Sequence, residues 1–455
     1  ACGSDDSLSE ENASTSTEND KTFTYAIAGD PGATVNVITT SDRFGLMTIK
    51  MIYSPLYMYN ADGINYFLAT GYDESDDHLT FTVHLRDDVT WSDGEKFTAD
   101  DVVFTYEAME VEANGGWAYS QLVDDNGAVK IEKVDDNTVT FTFPAVNADA
   151  VEMIAAVFIM PKHLYEGITD FENNDVNMKA VGTGPYIMSE YSAGQYLTFT
   201  KNDDYFLGAP NIGTFVFRII ENENTAMTAI QSGEVTAWIA TPPEVEQMDL
   251  DSNNLERHVY DEGRVAYMMF NATRVPDQRV RQAILFALDK TAIADGALLS
   301  SDYYELPWSF LPPTSEFATD DVEHYDQDID HAKELLSEAG VSDLTLTLGY
   351  SSSDSLQSSC AVLMQEQLKA IGVTLNLQGV DATALSKQMM DANNSYDMYY
   401  GGYIMGIDPD TFSSLFVSGA SYNYMHYTNE TIDALSFSFS PLTLPNISSF
   451  SFSFL

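Results

Sequence analysis

The sequence predicts an α/β protein with at least one partly parallel sheet, and three observations predict it. Short segments of strict period-two apolar alternation recur along the chain. Segments of helical length and pattern are interleaved with them. Late in the chain, two helix-to-strand units follow one another, each with a Gly where a left-handed residue ends a helix.

Taken in order, Phe23-Thr24-Tyr25-Ala26-Ile27 reads as the first strand. Leu79 to Leu85 alternates Leu-Thr-Phe-Thr-Val-His-Leu, the mark of a half-buried strand. Trp91 to Met109 carries its own start signals. Ser92-Asp93-Gly94 predicts a turn, with Gly supplying the positive φ. Thr98-Ala99-Asp100-Asp101 then predicts a capping box, Thr98 as N-cap and Asp101 reaching back to the Thr98 amide. Phe97 and Val102 take the positions of a hydrophobic staple. Asp100 and Asp101 face the positive end of the helix dipole, so they stabilise a helix start rather than perform catalysis. Thr138 to Phe143 is a further strand, closed by Pro144. The two late units are a helix over Ile329–Ala339, Gly340 and a strand over Leu344–Leu348, then a helix over Ser355–Ile371, Gly372 and a strand over Val373–Leu377.

At 455 residues the chain is long enough for two or three domains. No stretch approaches the roughly 20 apolar residues that cross a bilayer. Asp+Glu total 70 against Lys+Arg 20, a formal net charge of -50. Such an excess repels phosphate backbones and anionic headgroups, which argues against nucleic acid or a polybasic membrane contact. It fits attraction of cationic solutes, or a solvated acidic surface.

Of the two cysteines, Cys360 sits in the apolar run Cys360-Ala361-Val362-Leu363-Met364 and reads as a small buried hydrophobe. Cys2 opens a Ser-, Thr-, Asn-, Asp- and Glu-rich stretch to Lys21 that cannot bury enough apolar surface to fold, a flexible tether. A near-terminal Cys before a tether resembles a bacterial lipoprotein after signal cleavage, with Cys2 the acylated residue. Two acyl chains there would hold the protein at the outer membrane face. At the other end, Ser436 to Leu455 carries no charged residue and alternates Ser with Phe, unlike the rest of the chain. This atypical tail suggests an altered reading frame or an error in sequence assembly.

Catalytic signals are missing from the sequence. It contains no GxSxG, HExxH, CxxC or P-loop. Gly182-Thr183-Gly184-Pro185 is Gly-rich but continues Tyr-Ile-Met, without the Lys-Ser/Thr and helix that cradle phosphate. The seven His are scattered, and only His324 and His331 are moderately close. A binding protein without metal or cofactor is expected, not an enzyme.

Several segments together resemble the extracellular solute-binding protein family 5, which serves oligopeptide, dipeptide and nickel ABC importers. Leu79 to Met109 is similar to its strand, "W-S-D-G" turn and helix. VGTGPYIMSEY, KNDDYFLGAP and AIQSGEVTAW follow between Val181 and Trp238. MMFNATRVPDQRVRQAILFALDKTAI runs from Met268 to Ile293, and HAKELLSEAG, QEQLKAIGVTLNLQ and YDMYYGGYIMGIDPDTFSSLF follow in the family's order. The resemblance covers roughly 21–435.

It implies a two-lobed, type II periplasmic-binding-protein-like fold in its large three-subdomain form, with mixed sheets and hinge crossover strands. Lobe I would comprise 21–59 and 180–266, with an inserted subdomain at 60–179. Lobe II would comprise 267–435, with the family's C-terminal return to lobe I replaced by the 436–455 tail, and 1–20 would be the tether. The implied function is capture of a peptide or similar small solute by lobe closure and delivery to ABC permease subunits. The protein would work as a monomer on the extracellular face of the cell membrane, or in the periplasm of a Gram-negative cell, held through its lipid alone. Nickel chelate, oligosaccharide or a peptide pheromone are alternative ligands.

The candidate ligand residues are Asn36 and Thr39 after the first strand, Tyr267 and Asn271 at the crossover, and Tyr400, Gly401, Gly402 and Tyr403. For Asn36, Thr39 and Asn271, hydrogen bonding within a turn or hinge is the competing role. Tyr399, Tyr400 and Tyr403 would either wall a peptide site or face the core, and Gly401-Gly402 would let the backbone approach closely. Peptide-binding relatives place an Asp in this region against the ligand's amino terminus. Aligned on Asp408-Pro409-Asp410, that position falls near the uncharged Met405. Either Asp408 takes over, or the ligand lacks a free amine there.

Overall fold

The computed structural model describes residues 21–33, 35–60, 63–124, 126–260, 263–315, 317–404, 413–420 and 422–436. Cys2, Met405, Asp408 and the tail beyond Ser436 lie outside them. The chain divides into two compact units, Ala1–Ala240 and Thr241–Leu455.

The strands of the first unit are β1 (Thr22–Ile27), β2 (Tyr57–Asn60), β3 (Gly63–Tyr66), β4 (Ala69–Glu74), β5 (Thr80–Leu85) and β6 (Val123–Asp124). After them come β7 (Gly127–Ala128), β8 (Lys130–Asp135), β9 (Thr138–Thr142), β10 (Tyr186–Ser192), β11 (Tyr196–Lys201), β12 (Thr214–Ile219) and β13 (Ala237–Trp238). A five-stranded mixed sheet has the order β10-β11-β12-β1-β13, with β1 parallel to both β12 and β13. A four-stranded antiparallel sheet, β4-β5-β9-β8, lies wholly within 60–179. One continuous core joins the two, running from Ile27 and Phe217 to Phe81, Val83 and Phe141.

Two helices of ten or more residues are described here, α1 (Arg43–Ile52) and α2 (Ala99–Met109). α2 begins as its sequence dictates. Asp101 accepts from the Thr98 amide at 2.9 Å, and the Thr98 hydroxyl caps the first turn. The same carboxylate also accepts from the Lys162 amide (2.9 Å) and Trp91 Nε1 (3.3 Å), so one buried side chain ties a turn, a helix and a distant loop. Phe97 and Val102 are both fully buried. Gly182 and Gly184 pack against the end of α1, where the Gly184 amide donates to Ile52 O at 2.8 Å. A Cβ on Gly182 would fall 1.8 Å from that oxygen, so this Gly-rich segment provides close backbone packing.

The second unit has β14 (Arg264–Phe270), β15 (Thr345–Ser351), β16 (Thr374–Val380) and β17 (Met398–Ile404), in the order β14-β17-β15-β16. β15 is parallel to β16 and β17, and β14 is antiparallel to β17. Its longer helices are α3 (Gln278–Ala287), α4 (Ile329–Glu338) and α5 (Ser355–Leu368). Gly340 and Gly372 have φ of 70° and 77°, as the helix-to-strand pattern requires. The two strands run further than their alternation suggested, because the parallel ladder continues through Gly349↔Gln378 to Ser351↔Val380. Cys360 is buried in the core of this unit.

The division between the two compact units falls between Ala240 and Thr241. Arg264–Phe270 is one strand paired with β17 from Arg264 onward. Upstream of it, Arg257 donates to the Tyr303 hydroxyl at 2.6 Å and lies beside Glu246 and Asp302. Those ties fasten the preceding segment to the second unit.

Candidate functional site

In open α/β sheets ligands gather outside the carboxyl ends of parallel strands, where backbone termini and loops are free of the ladder. Each unit has one such edge. In the first, β1 ends at Ile27 and enters the loop that holds Asn36 and Thr39.

That loop is rigidly built. The Asn36 amide donates to the Thr40 hydroxyl (2.9 Å), its Oδ1 accepts from the Ile38 amide (2.8 Å), and its Nδ2 donates to Asn177 Oδ1 (3.0 Å). Asn177 Oδ1 also accepts from the Tyr165 hydroxyl at 2.9 Å. Trp117 donates through Nε1 to Val37 O and through its amide to Ile38 O. Asn36 is 1% exposed, so it holds the loop's shape rather than presenting itself to a solute. Thr39 is half-buried, and its hydroxyl has no hydrogen-bond partner among the described residues. A pocket of ≈ 10 Å³ lies between this loop, α1 and the five-stranded sheet, lined by Val35, Tyr53, Asn177 and Tyr191 among others. It has room for about one water and none for a peptide.

In the second unit the carboxyl ends are Ser351, Val380 and Ile404. Because β14 is antiparallel, its first residue, Arg264, lies opposite Ile404 at this same edge. Strand alternation then sorts the neighbours onto two faces. Met398 and Tyr400 enter the core with Cys360, and Tyr400 is 8% exposed. Burial and the neighbouring Cys360 thiol raise its pKa far above the ordinary phenol value. Tyr400 therefore takes the core-facing role of the two open to it. Tyr399 is fully buried on the other face, where Asn271 and Asn394 donate to its hydroxyl.

The face of Tyr399 continues toward the edge as an aromatic surface. Tyr403 meets Tyr422 edge-on at 6.2 Å between ring centroids, and Tyr422 meets Tyr424 in the same way. Burial pushes the Tyr267 hydroxyl up to about 12, with the phenols of Tyr403 and Tyr424 adding to it. Such rings offer stacking area with polar tips.

Gly401 and Gly402 have a geometric reason each. A Cβ on Gly401 would sit 3.2 Å from the Met269 methyl and 3.5 Å from the Tyr267 ring. On Gly402 it would sit 2.8 Å from Arg264 Nε. Both glycines clear space for side chains of β14. Asn271 lies at the opposite end of the sheet. It is completely buried, donating to Ala392 O, Tyr396 O and the Tyr399 hydroxyl and accepting from the Thr273 amide. Seven residue steps along β14 separate it from Arg264, roughly 23 Å at the usual rise.

The structure thus gathers Tyr267, Gly401, Gly402 and Tyr403 at one edge, turns Tyr400 inward and sets Asn271 apart. Asp408 falls outside the described residues. Sequence reasoning missed Arg264, which the cross-strand register brings there, Asp354, which the turn after β15 supplies, and Tyr422 and Tyr424, whose rings adjoin Tyr403 and each other. Among the described residues no group of three or more His, Cys, Asp or Glu is arranged to hold a metal ion. Nor is any described helix long and apolar enough to cross a membrane.

This architecture is shared. The chain is 28% identical over 432 residues to the oligopeptide-binding protein AppA of Bacillus subtilis, covering 88% of this chain and 77% of that one. The structure of AppA in complex with a nonapeptide is similar at a TM-score of 0.74 and 26% identity, over 92% and 87% of the chains. The ABC transporter substrate-binding protein CtaP of Listeria monocytogenes is more similar, with a TM-score of 0.88 and 37% identity over 94% and 88%. Residues 63–424 match the family model of the bacterial extracellular solute-binding proteins, family 5 Middle. The chain belongs to that family of extracellular solute-binding proteins and has its type II periplasmic-binding-protein-like fold.

Proposed function

We propose that this chain is the solute-capturing component of an ABC importer, taking peptides outside the cell by ligand-stabilised lobe closure and handing them to a membrane permease. Its likeness to a relative named for oligopeptide binding, and solved with a nonapeptide, carries the reading. The second unit's carboxyl edge supports it physically. Strand ends carry main-chain groups that can hydrogen-bond a peptide of any sequence, and the surface of Tyr267, Tyr403, Tyr422 and Tyr424 accommodates varied side chains. In this proposal lobe I comprises 21–59 and 180–266 with the 60–179 insertion, and lobe II begins at 267. Cys2 carries the lipid, 1–20 is the tether, and the protein acts as a monomer without cofactor or catalysis.

A thermal-shift screen of the chain from Lys21 against pooled di- to hexapeptides, nickel chelates and oligosaccharides tests the substrate. A ligand of the folded state raises the melting temperature by mass action, by an amount equivalent to about 2.7 kcal/mol at a hundredfold excess over Kd. A rise with peptides alone is expected. A rise only with another pool would overturn the peptide assignment. Repeating the titration with Asp408→Ala asks whether that residue receives the ligand's amine: unchanged affinity would exclude it.

A further inference from the structure

Residues 299–328 join the helix Lys290–Leu298 to α4, and the regular structure described in them is one short 3-10 turn, Ser301–Tyr303. Connections beyond roughly 12–15 residues without regular structure are uncommon in compact domains unless they serve a function. The middle of this one is closed by its own ends. Trp308 stacks on His324, with ring centroids 4.0 Å apart and planes 11° from parallel. Lys290, from the preceding helix, stands over the Trp308 ring at 5.4 Å from its centroid, and its ammonium donates to His324 O. His324 Nε2 in turn donates to Asp320 O at 2.8 Å. Trp308 is 40% exposed, so its ring serves this clasp more than it fills a core.

Between the clasped ends, the chain carries Phe310, Leu311 and Phe317 to the sheet face that holds Tyr403. Leu311 and Leu415 are buried, and Phe310, Phe317, Phe416 and Tyr403 pack around them. Phe310 meets Phe416 edge-on at 5.0 Å between ring centroids. The hydrogen bonds described within the stretch are local, such as the Leu311 amide to the Ser309 hydroxyl (3.2 Å) and the Ser315 amide to Pro312 O (2.9 Å). They shape turns without tying the stretch to the sheet. Its place beside Tyr403 therefore depends on apolar contact and on the clasp.

We propose that Trp308, His324 and Lys290 position residues 310–317 as an apolar wall beside Tyr403, and that this wall selects peptides with a large apolar side chain. The inference rests on the peptide reading above and narrows its substrate class. Phe310, Phe317 and Tyr403 are each only partly buried, so ring surface remains for a side chain to cover. In a chain of net charge -50, an acidic side chain would also meet like charge that an apolar one does not.

Isothermal titration tests this with the peptide that raises the melting temperature most in the screen above, and with its variants carrying Phe or Ala at one position at a time. At one position or more the wild type should favour Phe over Ala by about tenfold or more, the size expected for covering one ring. Phe317→Ala should reduce that ratio by removing part of the wall. Trp308→Ala should reduce it through the clasp, and Trp308→Phe, which keeps a stacking ring, should restore most of it. His324→Ala opens the clasp from its other side and should match Trp308→Ala. A residue that only stabilised the fold would lower the melting temperature and leave the ratio unchanged. A wild type that binds the Phe and Ala forms equally at every position overturns the wall and leaves the peptide reading standing. A ratio unchanged in both Trp308→Ala and His324→Ala overturns the positioning role. Failure of every peptide to bind, with a thermal shift from another pool, overturns the peptide reading as well.

Discussion

At the scale of single residues, two acidic side chains around α2 show that burial alone does not decide what a carboxylate does. Asp101 is buried, and burial raises its pKa, but three N–H donors face it and offset part of that cost. Glu110, the C-cap residue of the same helix, has no such company. Among the described residues its Oε1 is buried without a hydrogen-bond partner, and burial together with Glu107 pushes its pKa up to about 8 from 4.5. The helix dipole also disfavours a negative charge at this end. Since the folded state holds this proton more tightly than the unfolded chain, Glu110's contribution is fully present below pH 4.5. It is lost as pH rises through about 8. Glu110→Gln should therefore be the more stable protein above pH 8, by about 1–3 kcal/mol, because Gln carries no charge in this partly buried site, a gain discounted for its partial exposure. The advantage should vanish near pH 4. Denaturant melts at the two pH values measure it, and an equal gap at both would show that the carboxyl stays neutral throughout or is solvated.

At the scale of elements, the sequence announced those structures whose causes are local. The capping box of α2, the two Gly-ended helices and the alternating strands need only a few neighbouring residues to form, and they stand where the pattern put them. Asn36 and Asn271 show where local reading stops. An Asn near a turn or crossover is equally suited to a ligand or to the backbone, and only the fold brings Asn177 and Tyr399 to them. Tyr400 and Gly402 were ambiguous for the same reason, since their roles depend on which face and which partner the ladder register assigns. Gly182-Thr183-Gly184 was legible only as something other than a phosphate loop; its packing on α1 joins segments far apart in sequence. Gly182→Ala would place a Cβ 1.8 Å from Ile52 O, a backbone atom in a helix end that cannot move alone. It should lower stability by roughly 3 kcal/mol or more, or prevent soluble expression. Gly94→Ala is the contrast: nothing lies near its added methyl, and only its φ of 95° opposes the change. If Gly182→Ala melted no lower than Gly94→Ala, the close approach to α1 would not be a source of stability.

At the scale of the whole molecule, charge is the property that no local interaction corrects. With 20 Lys and Arg for 70 carboxylates, one-to-one pairing still leaves 50 carboxylates without a basic partner, since 70 less 20 is 50. The pairs that do form are mostly exposed, such as Lys130–Glu132 and Lys369–Glu366, and pairs of that kind add little stability each. Folding brings the unpaired carboxylates closer together than they are in the extended chain, so their mutual repulsion opposes the compact state. Salt screens this repulsion over a Debye length that falls from about 30 Å at 0.01 M to about 10 Å at 0.1 M. The melting temperature at neutral pH should therefore rise with NaCl across that range, by about 2–5 °C if screening recovers of order 1 kcal/mol. The same titration near pH 4, where roughly half of the carboxylates are protonated, should give a clearly smaller slope. A slope that is absent at neutral pH would mean that the acidic groups are spaced widely enough not to interact. One that persists unchanged at pH 4 would assign the effect to hydrophobic or specific-ion stabilisation instead. Only a slope that follows the ionisation of the carboxylates identifies their repulsion as the force that limits this fold.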